Sequence, residues 1–370
     1  MRTAAQHIVI DARNRRSSTG RYTDRLLEHL QSISHGTNYR FTILLQPDDP
    51  WTAQADNFST QACPFPQFSF NPLNDIRFSY LLNKLKPDLV HFTMTQQPLS
   101  FRGNIVTTTH DLTMLRFVRA GKSPTLIFKL KKLGYRLLFY VAHQKSHRII
   151  VPTEFVKQDL SDYYPFTSER ITVTYESSEP PIVNEAIQPE GMTNPFIMHV
   201  GSPFPHKNLF HLIKAFEELQ KTYPDLELVL AGKKEFYFNE LEEWVRTRSS
   251  FKSIHFTGFV SDEELKWYYQ NAQAYVLPSL SEGFGLPGLE AMSHGCPLIS
   301  SNATCLPEVY GNAAQFFNPN DLDETVNAIG SVISNEKHRQ KLISAGYKQI
   351  EKFSWSRMAE QTFRVYKQSL

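Results

Sequence analysis

The stretch Pro278-Ser-Leu-Ser-Glu282-Gly-Phe-Gly285-Leu-Pro287-Gly-Leu-Glu290-Ala-Met-Ser-His-Gly-Cys-Pro297 reads as a strand end, a glycine-bearing loop and a helix opened by proline. Gly283 and Gly285 let a backbone approach a ligand closely. Pro287 suits a first helical turn, whose free amides and dipole favour a phosphate. Glu282, before the helix, and Glu290, on its first turn, suit hydrogen bonds from two sets of sugar hydroxyls. A strand, loop and helix in this order form the repeating unit of α/β folds, which gather ligand groups at the carboxyl ends of their strands.

The same alternation runs toward both ends of the chain. Strands are expected at 7–11, 41–45, 88–92, 104–110, 148–152 and 171–175, then at 196–200, 226–232, 253–258, 274–278, 297–301 and 314–318. Between about 176 and 195 the text ESSEPPIVNEAIQPEGMTNP is rich in Pro, Glu and Asn without periodicity, which marks a linker. The expected organisation is a Rossmann-like domain over 1–180, a linker over 181–195, a second Rossmann-like domain over 196–352 and a terminal helix over 353–370. The fold class is α/β, with two parallel sheets facing each other across a cleft.

Composition narrows the function. A chain of 370 residues exceeds what one hydrophobic core usually supports, and 41% hydrophobic with 21% charged residues is ordinary globular usage. Cys63, Cys296 and Cys305 stand singly, without the spacing of a zinc site or a disulfide framework. The opening MRTAAQHIVID is too short an apolar run for a signal peptide, and no run approaches a membrane span, so a cytoplasmic location is expected. Residues 101–150 carry Arg102, Arg116, Arg119, Lys122, Lys129, Lys131, Lys132, Arg136, Lys145 and Arg148 against Asp111 alone. Such a basic field attracts anionic lipid, nucleic acid or a phosphorylated acceptor. No nucleic-acid-binding motif accompanies it, so nucleic acid is set aside as a partner. Within it, Leu126, Leu130, Leu133 and Leu137 form a helical stripe beside basic residues. That pattern describes an amphipathic helix on an anionic membrane or a cross-sheet helix with a solvated basic face. Apolar residues nearly all round Leu137–Val141 favour burial there.

Gly283-Phe-Gly285-Leu-Pro-Gly288 also fits the dinucleotide fingerprint, with Glu308 as the ribose-binding acid. That fingerprint belongs after the first strand of its domain, whereas this loop follows the fourth, so a nicotinamide or flavin is set aside.

The sequence resembles the family 4 glycosyltransferases, retaining enzymes of the glycosyltransferase B fold, over nearly its whole length. Their E-x7-E motif matches Glu282 through Glu290. The resemblance implies that Glu282 contacts donor-sugar hydroxyls, that Glu290 contacts the nucleotide ribose, and that the amides around Gly283, Phe284, Gly285 and Leu286 hold sugar and phosphate. His199-Val-Gly201-Ser-Pro-Phe-Pro-His206-Lys207-Asn208 matches a segment whose Arg-Lys pair neutralises the leaving diphosphate. Lys207 is retained, while His206 replaces the arginine; imidazole is only partly charged near neutrality and lacks the bidentate guanidinium fork. Thr108-Thr-His110-Asp111-Leu112 matches a strand-end His-Asp that implies contact of His110 with the donor sugar near its reacting carbon. Taken alone, the same pair reads as a structural hydrogen-bond pair. Ser18-Thr-Gly20-Arg21-Tyr22 matches a glycine loop near the phosphates and the acceptor, and also reads as a tight turn capped by Thr19 or Ser18. Thr257-Gly258-Phe259-Val260 matches a segment whose main chain reads the nucleobase, and Ser261 with Glu264 forms a capping box.

The implied reaction is retaining transfer without a protein nucleophile, with His110, Lys207 and Glu282 at the catalytic centre. The donor is expected to be GDP-mannose, with a UDP-sugar as the alternative, and the acceptor a glycan or lipid-linked hydroxyl of surface-polysaccharide synthesis. No metal is expected, since no Asp-x-Asp motif occupies a strand end. The competing reading is a non-catalytic sugar-nucleotide-binding protein on the same fold, favoured by His206 alone. The resemblance also places the terminal helix against the first domain.

Overall fold

A computed structural model describes residues 5–17, 19–66, 71–117, 125–179, 185–233 and 236–370, with the side chains of 125–132 outside the description. Ser18, Arg119, Lys122, the linker residues 181–184 and the side chains of Leu126, Leu130, Lys129, Lys131 and Lys132 therefore lie outside the described residues. The chain forms two compact units: Met1–Leu115 with Ser123–Glu176 and Ser354–Leu370, and Ser177–Phe353 with Arg116–Lys122.

The first unit contains β1 (Gln6–Asp11), β2 (Tyr39–Leu45), β3 (Phe58–Ala62), β4 (Leu89–Phe92), β5 (Ile105–Thr108), β6 (Arg148–Val151) and β7 (Ile171–Val173). They form one sheet of order β3-β2-β1-β4-β5-β6-β7, in which every pairing is parallel. Helices cover both faces of such a sheet, so its central strands read as apolar runs rather than as alternations. Accordingly β4 and β5 are buried along their whole length. One core lies around Phe78, Phe92 and Ile105, another around Leu112, Phe139 and Ile149. The C-terminal helix Trp355–Ser369 belongs to this unit. Phe363 meets Tyr39 edge-on with ring centroids 5.1 Å apart, and the Tyr366 hydroxyl lies 2.6 Å from His91 Nδ1.

The second unit contains β8 (Phe196–Val200), β9 (Glu227–Ala231), β10 (Ile254–Gly258), β11 (Ala274–Leu277), β12 (Leu298–Ser301) and β13 (Ala314–Phe317). Its all-parallel order is β10-β9-β8-β11-β12-β13. One cluster centred on Ile197, Phe216, Leu230, Val276 and Ile329 fills it. Strand order reverses between β1 and β4 in one unit and between β8 and β11 in the other. The helices leaving neighbouring strands there go to opposite faces, and a crevice opens at the carboxyl ends.

Two local expectations are corrected. Apolar residues nearly all round Leu137–Val141 predict burial, but among its described side chains the helix Thr125–Lys145 presents one stripe inward: Phe139 is 2% exposed, Leu137 57% and Tyr140 41%. The turn before the helix Gly20–Ile33 is not capped by Thr19, whose side chain makes no cap bond and instead donates to Met94 Sδ.

Candidate active site

The crevice of the second unit is built from the loops that follow β8 and β11. After β8, Pro205–Lys207 makes one 3-10 turn, which ends at Asn208 in the left-handed conformation and leads into the helix Leu209–Gln220. Its position is fixed against the other loop, since the His206 carbonyl accepts the Leu280 N–H at 2.7 Å. The Lys207 ammonium thereby reaches Glu282, donating to Oε1 at 2.6 Å. Ser279 donates to the same oxygen at 2.6 Å, and the Glu282 N–H donates to Thr304 Oγ1 at 3.1 Å. Thr304 is β-branched yet has φ +54, a costly conformation held in place by this contact beside the carboxylate.

Burial pushes the Glu282 carboxyl up, but the charge of Lys207, the hydrogen bonds from Lys207 and Ser279, and the nearby His206 bring it below its ordinary value. The carboxylate is thus ionised while nearly enclosed: the side chains of Lys207 and Glu282 are 16% and 12% exposed. Beneath them, His199 donates from Nδ1 to the Val276 carbonyl, and burial lowers its pKa to about 4, so it stays neutral. His206 lies flat against Phe204, with ring centroids 5.9 Å apart.

The helix after the second loop is Leu286–Ser293, with Gly285 as its N-cap at φ +91 and no side-chain cap. A helix start of this kind leaves amides pointing outward with a favourable dipole for an anion. Glu290 is the fifth residue of this helix, so it stands just past the first turn rather than on it. Its Oε2 accepts the Tyr269 hydroxyl at 3.3 Å. Glycine at 285 and 288 has a packing cause: a Cβ at either position would collide with the Tyr310 hydroxyl. The Tyr310 hydroxyl also donates to the Gly285 carbonyl. The apparent dinucleotide fingerprint is therefore a seat for Tyr310. Gly288→Ala is expected to destabilise the protein by about 1–3 kcal/mol through overpacking, measurable as a lower urea midpoint at unchanged slope.

The remaining residues of this unit sit further along the sheet. Phe259 and Val260 follow β10, two strands from β8 and so roughly 10 Å away across the sheet. The Phe259 side chain is 81% exposed. Ser261 and Glu264 form the full capping box of the helix Asp262–Asn271. In the first unit, Gly20 opens its helix where a Cβ would collide with the Arg15 carbonyl. His110 follows β5; its Nδ1 lies 3.1 Å from Glu176 Oε1 and its Nε2 3.0 Å from the Thr93 carbonyl. Asp111 acts on His110 through its charge, while its Oδ1 accepts the Thr113 N–H at 2.8 Å. Ser279, Thr304, Tyr310 and Glu176 were not legible as site residues; of these only Glu176, a charged residue just past a strand end, carried a sequence signal.

Two doubly wound parallel units in one chain, each with its own switch-point crevice, define the glycosyltransferase B fold. Residues 19–176 match the family "Glycosyltransferase Family 4", and residues 183–349 match "Glycosyl transferases group 1". The chain is 28% identical over 274 residues to O-antigen chain mannosyltransferase B of Escherichia coli, spanning 71% of this chain and 70% of that protein. It is 30% identical over 230 residues to the serotype-specific mannosyltransferase WbdA of Escherichia coli, of whose length the match spans 27%. Sucrose-phosphate synthase from Thermosynechococcus elongatus has the same fold, with a TM-score of 0.76, 17% identity and 98% of each chain covered. The chain belongs to the family 4 glycosyltransferases and is a glycosyltransferase.

Proposed function

We propose that the chain transfers mannose from GDP-mannose, with retention, to a hydroxyl of a glycan or lipid-linked acceptor. The observation that carries this reading is the enclosed Lys207–Glu282 pair beside the start of the helix Leu286–Ser293, at the switch point of the second unit. In this reading a nucleotide-sugar parts the pair: Lys207 turns to the diphosphate, and Glu282 accepts hydroxyls of the sugar. The helix start at Gly285 and Leu286 faces the phosphates, Glu290 accepts the ribose hydroxyls, and the main chain at Phe259 and Val260 reads the base. Lysine and helix dipole stabilise the leaving group electrostatically, which needs neither a protein nucleophile nor a metal. His110 contacts the sugar. Two relatives bear the name mannosyltransferase, which supports mannose as the sugar. Incubation with GDP-mannose and a mannoside acceptor, followed by NMR of the product, tests the reading. It requires an α-linked product, whereas a β-linked product contradicts retention, and transfer from UDP-sugars alone contradicts the donor.

Peripheral contact with an anionic membrane belongs to the same proposal. Leu133, Leu137 and Tyr140 are 63%, 57% and 41% exposed, at one-turn spacing on the helix Thr125–Lys145, with Arg136 exposed between them. Inserting a leucine side chain contributes about 1.5–3 kcal/mol, so Leu137→Ser is expected to weaken sedimentation with phosphatidylglycerol vesicles by roughly tenfold or more. Sedimentation that the substitution leaves unchanged contradicts this contact.

A further inference from the structure

The first unit holds a connected set of buried polar groups around His110. Both ring nitrogens of His110 face acceptors: the Glu176 carboxylate at Nδ1 and the Thr93 carbonyl at Nε2. A neutral imidazole has one N–H and one lone pair, so it would set that lone pair against one of the two oxygens. With a carboxylate at Nδ1, only the doubly protonated ring satisfies both. The surroundings hold the ring in place. Tyr22 meets it edge-on with centroids 4.9 Å apart, and the Tyr22 hydroxyl lies 3.0 Å from Thr108 Oγ1. Thr108 Oγ1 in turn lies 2.8 Å from His91 Nε2, and His91 Nδ1 lies 2.6 Å from the Tyr366 hydroxyl of the C-terminal helix. Glu176 follows β7, and its side chain is 6% exposed against 15% for His110.

The titratable groups around His110 are Glu176, Asp111, His91 and Tyr22. Burial acts to lower the pKa of His110, but the Glu176 hydrogen bond and charge, the Thr93 carbonyl and Asp111 carry it above the ordinary value. Burial and the neighbouring His110 lower the pKa of His91 to about 3, which leaves His91 neutral beside that cation.

We propose that Glu176 is a positioning residue for transfer: it holds His110 as an imidazolium that donates from both nitrogens in one ring orientation. The inference rests on the reading of His110 as a contact of the donor sugar, which, with both N–H groups engaged, is made by the carbon edge of the ring. A ring with both protons committed to fixed acceptors does not abstract a proton from the acceptor hydroxyl, which agrees with a reaction that uses no protein base. Above the pKa of His110 one nitrogen loses its proton, a lone pair opposes an oxygen, and the ring loses its fixed orientation. Activity then declines.

The test uses the full chain labelled with 15N-histidine, with the His110 signal assigned by its loss in His110→Gln. At about pH 7 the proposal requires two protonated ring nitrogens at His110, and conversion to a neutral ring in Glu176→Gln. In the transfer assay Glu176→Gln is expected to lower kcat about ten- to hundredfold, below the loss from deleting a charge-stabilising donor outright. The donor KM should stay within about threefold, and the alkaline limb of the pH profile should move to lower pH. A neutral His110 in the unmodified chain overturns the proposal, and that spectrum needs neither a folded variant nor an active enzyme. A neutralised His110 in a Glu176→Gln variant that transfers at the full rate overturns the positioning role and leaves the charge assignment standing. If no donor is turned over, the reading of function fails while the spectrum still decides the charge.

Discussion

Lys207→Ala is expected to lower kcat/KM by about 10²–10³-fold and to destabilise the protein by about 3 kcal/mol. The activity loss follows from removing the side chain assigned to the leaving diphosphate. The stability loss follows from what remains: Glu282, 12% exposed, keeps Ser279 as a donor but loses the cation that offsets its burial. Losses of 3–5 kcal/mol are typical when one partner of a buried pair is removed, and the low end applies because the carboxyl can escape by taking up a proton. The pH dependence has a definite sign. With Lys207 present, the pKa of Glu282 is depressed below its ordinary value of 4.5, so the pair stabilises the fold above that value and the contribution is lost as pH falls through the folded one. In Lys207→Ala burial acts unopposed by the lysine and raises the pKa of Glu282, so the carboxyl destabilises at neutral pH and the deficit shrinks on acidification. Urea unfolding at pH 7 and pH 5 should show the two proteins closer at the lower pH. The double variant Lys207→Met with Glu282→Gln should recover most of the stability and none of the activity, since the buried charge is gone and the phosphate partner is still missing.

Glu290→Ala is expected to weaken nucleotide-sugar binding by roughly 10- to 150-fold, the equivalent of about 1.5–3 kcal/mol for hydrogen bonds to a charged acceptor. Stability should fall by about 1 kcal/mol, the net contribution of one hydrogen bond. Glu290 is only half-buried on its helix, and the Tyr269 hydroxyl is the donor that meets its Oε2. Deleting it takes one partner from the hydroxyl of the buried Tyr269 rather than leaving a buried charge unpaired. Because ribose contacts are made equally in ground and transition states, kcat at saturating donor should change far less than KM. Calorimetric titration and initial rates on the same preparation separate the two. An unchanged dissociation constant would remove Glu290 from the donor site.

The strands that shape the two crevices were legible because parallel sheets covered on both faces need continuous apolar runs, and β1, β4, β8 and β11 supply them. Strand β3 was not legible. It sits at the sheet edge, buries only Phe58 fully, and reads Phe-Ser-Thr-Gln-Ala, a composition indistinguishable from a loop. The loops bearing Lys207, Glu282 and His110 were found because they directly follow strands whose positions the sequence reveals. Their partners were not found, because partnership is a long-range property. Glu176 lies 66 residues from His110 and opens a Pro- and Glu-rich stretch that reads as a linker. Likewise, Gly285 and Gly288 read as a ligand-cradling motif until Tyr310, from beyond the next strand, is seen to occupy the space a side chain would fill.

In the proposed function the switch point of the second unit holds a nucleotide-sugar by parting the Lys207–Glu282 pair. Calorimetric titration of GDP-mannose into the unmodified chain, Lys207→Ala and Glu282→Gln, with GDP titrated in parallel, decides whether it does. GDP-mannose is expected to bind the unmodified chain saturably. Both ligands should bind Lys207→Ala more weakly, and in Glu282→Gln, where only the sugar contact is impaired, the loss should be confined to GDP-mannose. Equal affinities across all three proteins would contradict it.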